Sequence, residues 1–430
     1  MKQLTVVGAG WAGLAAAVAA TQAGWHVRLF EAAQIAGGRA RALPQTFADQ
    51  PLDNGQHILI GAYKDTLALM RTVGLNPDAL LQRLPLDLRF ADGTGLNLPN
   101  WPMPFNFLAG VARAQGWESS DKANLFQAAW LWQRAKFDCD ATWTVTQLCT
   151  HTRVSPRVTQ QLIEPLCVSA LNTPMAEASA VVILRVLHDA LWGGAGSADL
   201  LLPRVDLGAL LPDASLQWLR AQGVEMHLGK RISPSDVNEL QHQAARSPTH
   251  AVLLACPAWE AARLSADIAP RWAYQCAELP HTAIATVYLH CTEAGFTGLP
   301  RPMVALRSDT QAPAQFVFDR GALAQQPGLL AAVVSACSTE RDELTEGVHA
   351  QVCEQLTLTN VQVVQTVVEK RATLACTPWV DRPESVVADG LWACGDYIRG
   401  PYPSTLEGAV RSGQHVVAQL SQVADRQRLG

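Results

Sequence analysis

The chain has 430 residues, 49% of them hydrophobic and 17% charged, which suits two substantial cores and exceeds what one usually supports. Its 33 Lys and Arg against 38 Asp and Glu give a formal charge of -5 with no basic block or stripe, which excludes nucleic acid as a partner. Ten scattered cysteines without a C-x-x-C pair, no charged-then-apolar leader and no apolar run near the roughly eighteen residues of a membrane span imply reduced thiols, no metal site, a cytoplasmic location and no bilayer crossing.

In chain order, the apolar run Leu4 to Val7 predicts a strand. Gly8, Gly10 and Gly13 follow it and precede the small-residue pattern Leu14 to Ala20, a helix that Gly24 ends. In this context Gly8 permits a tight turn, Gly10 lets a pyrophosphate approach the backbone, and Gly13 lets the helix pack on the strand. Ala12 lies inside the same turn. Val27 to Phe30 predicts a second strand, and Glu31 closes it near the spacing of a carboxylate that accepts a ribose hydroxyl.

Leu59 to Val73, with Leu67, Met70 and Val73 on one face and Gly74 as a stop, reads as a helix. From Leu75 the pattern loosens into short strands and proline turns, and then 121–134 and 154–168 read as helices of an inserted substrate domain. Several of the 13 tryptophans crowd this region: Trp101 ahead of Phe105 to Leu108, then Trp117, Trp130, Trp132 and Trp143. Such rings suit a membrane interface or an apolar ligand pocket, and an ordinary aromatic core is the other reading.

Leu207 to Gln222 predicts a helix, Gly223 its stop, and Val224 to Leu228 and Ala251 to Ala255 two strands that rejoin the nucleotide sheet. Between Trp259 and Val368 the residues alternate, as in Thr286 to His290 and Ala314 to Phe318, which predicts an antiparallel sheet beneath a substrate cavity. Leu391 to Cys394 is a last buried strand. Ser404 and Glu407 have capping-box spacing before a helix with Val410, Val417 and Leu420 as its stripe, and its start would aim partial positive charge at a ligand near Asp396.

Gly37-Gly38-Arg39 resembles the signature of glutathione reductase-like flavoproteins of the amine oxidase and carotenoid desaturase type, with Arg39 bringing a permanent cation near the diphosphate. Asp396 resembles the acid that binds the ribityl chain there, so the implied cofactor is FAD rather than NAD. Three further strings, Leu52 to Tyr63 (with Asp53-Asn54-Gly55-Gln56-His57), Glu164 to Pro174 and Leu201 to Leu207, resemble the bacterial squalene-associated FAD-dependent desaturases, the hydroxysqualene dehydroxylases of hopanoid biosynthesis. The resemblance covers essentially the whole chain. It implies an α/β, amine oxidase-like fold, with a glutathione reductase-like Rossmann FAD domain (1–74, 207–258 and 371–430) interleaved with a mixed substrate domain of antiparallel sheet and helices (75–206 and 259–370). Its implied FAD contacts are Gly8, Gly10, Ala12, Gly13, Glu31, Gly38, Arg39, Gly55, Gln56, His57, Ile232, Asp396, Thr405 and Leu406.

The implied reaction converts hydroxysqualene, a C30 isoprenoid alcohol, and reduced FAD to squalene, water and oxidised FAD. Hydroxide is a poor leaving group, so the site needs a general acid, and His57, Asp53 and Tyr402 are the candidates. A phytoene-type desaturase, an amine oxidase and a non-redox prenyl carrier are the alternatives. No second dinucleotide fingerprint appears, so the electron donor is an unidentified partner, and peripheral membrane contact is expected of the tryptophan-rich stretch.

Overall fold

The computed structural model describes residues 2–247 and 249–429 and is organised around two sheets. The first has the order Val386–Ala388, Leu391–Ala393, His250–Leu254, Gln3–Val7, His26–Glu31, Glu225–Leu228, and all neighbours are parallel except the first pair. Parallel strands need both faces covered, which is why Leu4, Val6, Leu29, Leu253 and Leu254 are apolar and almost wholly buried. One cover is the helix Trp11–Gln22, whose alanines let backbones approach closely. The terminal helix Leu406–Leu429 lies against it, and a Cβ on Gly413 would sit 2.3 Å from the Ala12 carbonyl.

The second sheet is antiparallel, in the order Met303–Ala305, Phe316–Asp319, Leu329–Cys337, His281–Cys291, Val361–Leu374. Strand alternation splits it between two cores. Val287, Leu289, Val304 and Val317 face the helix Arg341–Leu356, while Tyr288, Met303, Phe316 and Phe318 face a helical roof that includes Phe105–Arg113, Ser119–Arg134, Glu164–Leu171 and Ala180–Trp192. A three-stranded sheet, Leu59–Ile60, Leu200–Pro203 and Leu81–Leu84, joins that roof to the nucleotide side. Helices Ala258–Ser265 and Pro270–Ala277 pack in one cluster with Val252 and Leu391 of the parallel sheet.

Four local expectations are corrected. The helix expected over Leu59 to Val73 begins at Lys64, because Leu59 and Ile60 pair with Leu201 and Leu200 as strand. The single helix expected over Leu207 to Gln222 is two, Leu207–Leu210 and Pro212–Ala221, broken where Pro212 lacks the N–H that would continue it. The helix read over 154–168 runs from Pro156 to Leu171 with a wider turn at Thr159–Ile163, just ahead of Pro165, which has no N–H to donate back. Ser404 does not cap the terminal helix. Its Oγ accepts from Leu374 N, and Thr405 Oγ1 takes the cap by accepting from Gly408 N at 3.0 Å.

Candidate functional site

The glycine turn between the first strand and first helix adopts the conformation its composition demands. Gly8 has φ +115°, and a Cβ on Gly13 would lie 1.9 Å from the Gly8 carbonyl oxygen, so both positions exclude side chains. Gly10 is different. A Cβ there would meet only Gly38 Cα, at 3.9 Å, so the two glycines bound open space beside a helix start whose cap residue contributes no side-chain hydrogen bond. Free N–H groups and a glycine-lined gap are what a pyrophosphate requires.

Glu31 stands at the end of the second strand, its Oε2 accepting from Ala9 N at 2.7 Å and its Oε1 from Ala33 N at 2.8 Å. The carboxylate therefore braces the turn and stays at the nucleotide edge. Lys230 N donates to the Glu31 carbonyl at 2.8 Å, which brings Ile232, buried in one cluster with Val7 and Phe30, to the same edge. Arg39 and Asp396, 357 residues apart, form an ion pair at 2.5 Å, and Arg39 also donates to the Ala372 carbonyl. The two flavoprotein signatures thus meet in space.

Asp53 opens the Asn54-Gly55-Gln56-His57 segment and is buried. Its Oδ1 accepts from Leu207 N at 2.8 Å, and its Oδ2 lies 3.7 Å from the Arg320 guanidinium. Burial raises the carboxyl to about 7 despite the Arg320 charge and the Leu207 hydrogen bond. Gln56 Oε1 accepts from Arg320, and Gln56 N donates to Thr286 Oγ1, so the segment is fastened to the antiparallel sheet. Gly55 has φ +132°. Half-buried His57 holds its Nδ1 2.9 Å from the Gly55 carbonyl, and burial pushes its imidazole below the usual range.

The loop from Asp396 to Tyr402 is held by Arg382, which donates to the carbonyls of Asp396, Tyr397, Gly400 and Tyr402. This clamp presents Tyr402 to an apolar cavity beneath the helical roof. The cavity wall is almost entirely hydrocarbon, typified by Leu98, Phe107, Trp132, Ile183, Leu187 and Phe316. Its few polar side chains are Tyr63, Ser169, Asp189, Tyr402, Thr405 and Glu407, the last three from the C-terminal segment. Of the three candidate acids only Tyr402 lines the cavity, and Leu406 begins the helix just beyond it.

Tyr402 Oη donates to Asp189 Oδ2 at 2.9 Å and accepts from Arg185 at 3.2 Å. Arg185 also reaches Asp189 Oδ2 at 3.1 Å, and His188 Nδ1 lies 2.8 Å from Asp189 Oδ1. Burial raises the Tyr402 phenol, so it stays protonated, against the Arg185 hydrogen bond that lowers it. For Asp189 burial acts upward, and hydrogen bonds from His188 and Tyr402 with the Arg185 charge overcome it and hold the carboxyl low.

The profile of the flavin containing amine oxidoreductases matches residues 11–421. The chain belongs to that family. As a flavin-containing amine oxidoreductase in this sense it is an FAD-dependent oxidoreductase, with the fold the sequence led us to expect. It is 27% identical to a hydroxysqualene dehydroxylase of Zymomonas mobilis subsp. mobilis, covering 95% of this chain and 96% of that one. A hydroxysqualene dehydroxylase of Rhodopseudomonas palustris is also 27% identical, over 96% of each. The solved cyclohexylamine oxidase of Brevibacterium oxydans shares the fold with a TM-score of 0.65 at 15% identity, covering 98% of this chain and 99% of that one.

This family member carries site residues that sequence reasoning passed over. Arg185, His188 and Asp189 interrupt an otherwise apolar helix at i, i+3 and i+4, a spacing that places them on one face. Three polar groups in that pattern were the available signal. Arg382 had none, because its role is defined by four carbonyls of a loop that begins 14 residues later.

Proposed function

We propose that this chain is a hydroxysqualene dehydroxylase that removes the allylic hydroxyl of a C30 isoprenoid and replaces it with hydride. The observation that carries the reading is the single cavity wall on which hydrocarbon gives way to Tyr402 and Asp189 beside the FAD-side segment. A long apolar substrate would fill the hydrocarbon part, with its one polar group beside Tyr402 and Asp189. The names of the relatives support the same substrate class.

Gly10 and Gly38 would hold the pyrophosphate of FAD, Glu31 the ribose, and the Arg39–Asp396 pair the ribityl chain. When bound and reduced, the cofactor supplies two electrons as hydride. The chain's own residues do the rest. Tyr402 donates its proton to the hydroxyl oxygen, because water leaves a carbon far more readily than hydroxide. The apolar wall keeps water from the cationic carbon while it exists. Asp189, held ionised, opposes the positive charge that develops beside it.

The direct test is anaerobic incubation of dithionite-reduced protein with hydroxysqualene, following flavin reoxidation and squalene together. Coupled appearance of both supports the reading, and reoxidation without squalene sinks it. The hydrocarbon lining also suits a phytoene-type desaturase, which would instead reduce its flavin when given the polyene precursor. An amine oxidase fits less well, since the two carboxylates on the wall, Asp189 and Glu407, are engaged by Arg185 and by Thr66.

The protein is further proposed to work against the cytoplasmic face of a bilayer, from which its insoluble substrate comes. Trp101, Phe105 and Leu108 are exposed at and before the helix Phe105–Arg113, and the same helix buries Phe107 in the cavity wall. Arg113 stacks on Trp101, an amphipathic pair suited to headgroup depth. No helix among the described residues is long and apolar enough to cross a membrane.

A further inference from the structure

Outside the nucleotide cradle, the densest cluster of titratable groups on the cavity is the one around Asp189. Its geometry is continuous. The His188 side chain is 44% exposed, its Nδ1 is 2.8 Å from Asp189 Oδ1, and Asp189 Oδ2 is 2.9 Å from the Oη of Tyr402, a residue of the cavity wall. Two neighbouring cations complete it, since Arg185 and Arg411 lie over the Tyr402 ring at 5.3 and 4.9 Å. The remaining ring against His188 is Phe137, edge-on at 5.2 Å and uncharged.

We propose that His188, Asp189 and Tyr402 form a proton path from solvent to the hydroxyl oxygen of the substrate, held in register by Arg185. The inference rests on the dehydroxylation proposed above. Tyr402 is the catalytic residue of the path, and His188 and Asp189 position and resupply it.

The Tyr402 O–H bond breaks and a new O–H bond forms on the substrate oxygen. The C–O bond then breaks with its electron pair on oxygen, which leaves as water, and the carbon takes the hydride supplied by the reduced flavin. The phenolate left on Tyr402 is stabilised by the Arg185 hydrogen bond and by the two cations over its ring. A proton from the imidazolium of His188 passes to Asp189 Oδ1, and a half-turn of the carboxyl hands it to the phenolate. Imidazole is suited to that entry position because one ring nitrogen can take up a proton while the other releases one.

The test uses full-length, FAD-loaded protein in anaerobic turnover with hydroxysqualene. His188→Ala lowers squalene formation at least about tenfold, and added imidazole restores the rate. Across substituted imidazoles the restored rate follows the acidity of the donor, which a merely structural His188 would not produce. Asp189→Asn is equally slow and is not restored.

A second readout needs no turnover. Tyrosine 13Cζ NMR is tractable with five tyrosines in the chain, and Tyr402→Phe assigns the signal. The Tyr402 resonance follows protonation of His188, and Asp189→Asn severs that response. Rates within about twofold of the unchanged protein for both variants, or a Tyr402 signal indifferent to His188, overturn the path. If the unchanged protein forms no squalene while the Tyr402 signal still follows His188, the dehydroxylation reading fails and the path stands for another substrate oxygen.

Discussion

Glu407 caps a helix that is not its own: its Oε2 accepts from Thr66 N at 2.9 Å and from Thr66 Oγ1 at 2.7 Å, and its Oε1 from Asp65 N at 3.1 Å. The first turn of Lys64–Thr72 is thereby tied to the first turn of the terminal helix. Glu407→Ala leaves those donors unmet and is expected to cost about 2–3 kcal/mol in urea unfolding. Glu407→Gln, which keeps one acceptor, should cost about half as much; equal stability of all three proteins would refute the tie.

Asp53 makes stability depend on pH in an unusual direction. Its carboxyl titrates at about 7 in the folded chain, because of burial, against an ordinary 3.8. Between those values the folded state keeps a proton that the unfolded state releases, so this group's contribution is present at low pH and is lost as pH rises. Asp53→Asn mimics the protonated form. Its stability relative to the unchanged protein should improve by about 2–4 kcal/mol between pH 4 and pH 8, measured by denaturant unfolding at each pH.

Only one of the three acids is on the cavity wall. Tyr402→Phe is expected to lower flavin reoxidation by hydroxysqualene at least about tenfold with FAD occupancy unchanged, and His57→Ala to stay within about threefold. The reverse order would move the acid to the Gly55–His57 turn.

Gly13 and Gly10 should fail differently on substitution by alanine. A methyl at Gly13 collides with the Gly8 carbonyl at 1.9 Å, so Gly13→Ala should lose about 3 kcal/mol or more of stability. A methyl at Gly10 meets nothing closer than 3.9 Å but stands where the pyrophosphate belongs. Gly10→Ala should therefore fold, with stability within about 1 kcal/mol, and lose at least about tenfold in FAD affinity by fluorescence titration.

The bilayer contact is open to vesicle sedimentation. Replacing Trp101, Phe105 and Leu108 together by Ser should abolish recovery with liposomes while leaving thermal unfolding nearly unchanged, since all three are exposed. Phe107 is excluded from that set because it is buried, and Ser there would open the cavity wall. Recovery of the triple variant equal to that of the unchanged protein would remove the membrane from the account.

What could be read from the chain beforehand was what short range controls. The Gly8–Gly13 turn, the strand ending at Glu31 and the alternation through Thr286 to His290 follow from local spacing and were expected. The capping assignment of Ser404 and Glu407 had the right spacing but the wrong partner, because nearby donors compete with those of a helix 341 residues away in sequence. Asp53 and His57 stood as candidate acids because of the segment they share, and that Asp53 turns toward Leu207 and Arg320 is decided only by tertiary packing. The helical spacing of Arg185, His188 and Asp189 was visible, but not the partner of Asp189, a phenol 213 residues downstream.

The Arg39–Asp396 ion pair also bears on how the protein is made. Its members are separated by 357 residues, and the helix that carries the cradle packs against the last helix of the chain. During synthesis Arg39 is made long before Asp396, so the pair closes only after the 357 residues between them have been added. A site shared by segments so far apart forms late in folding, and FAD retention is expected to require the Asp396 segment.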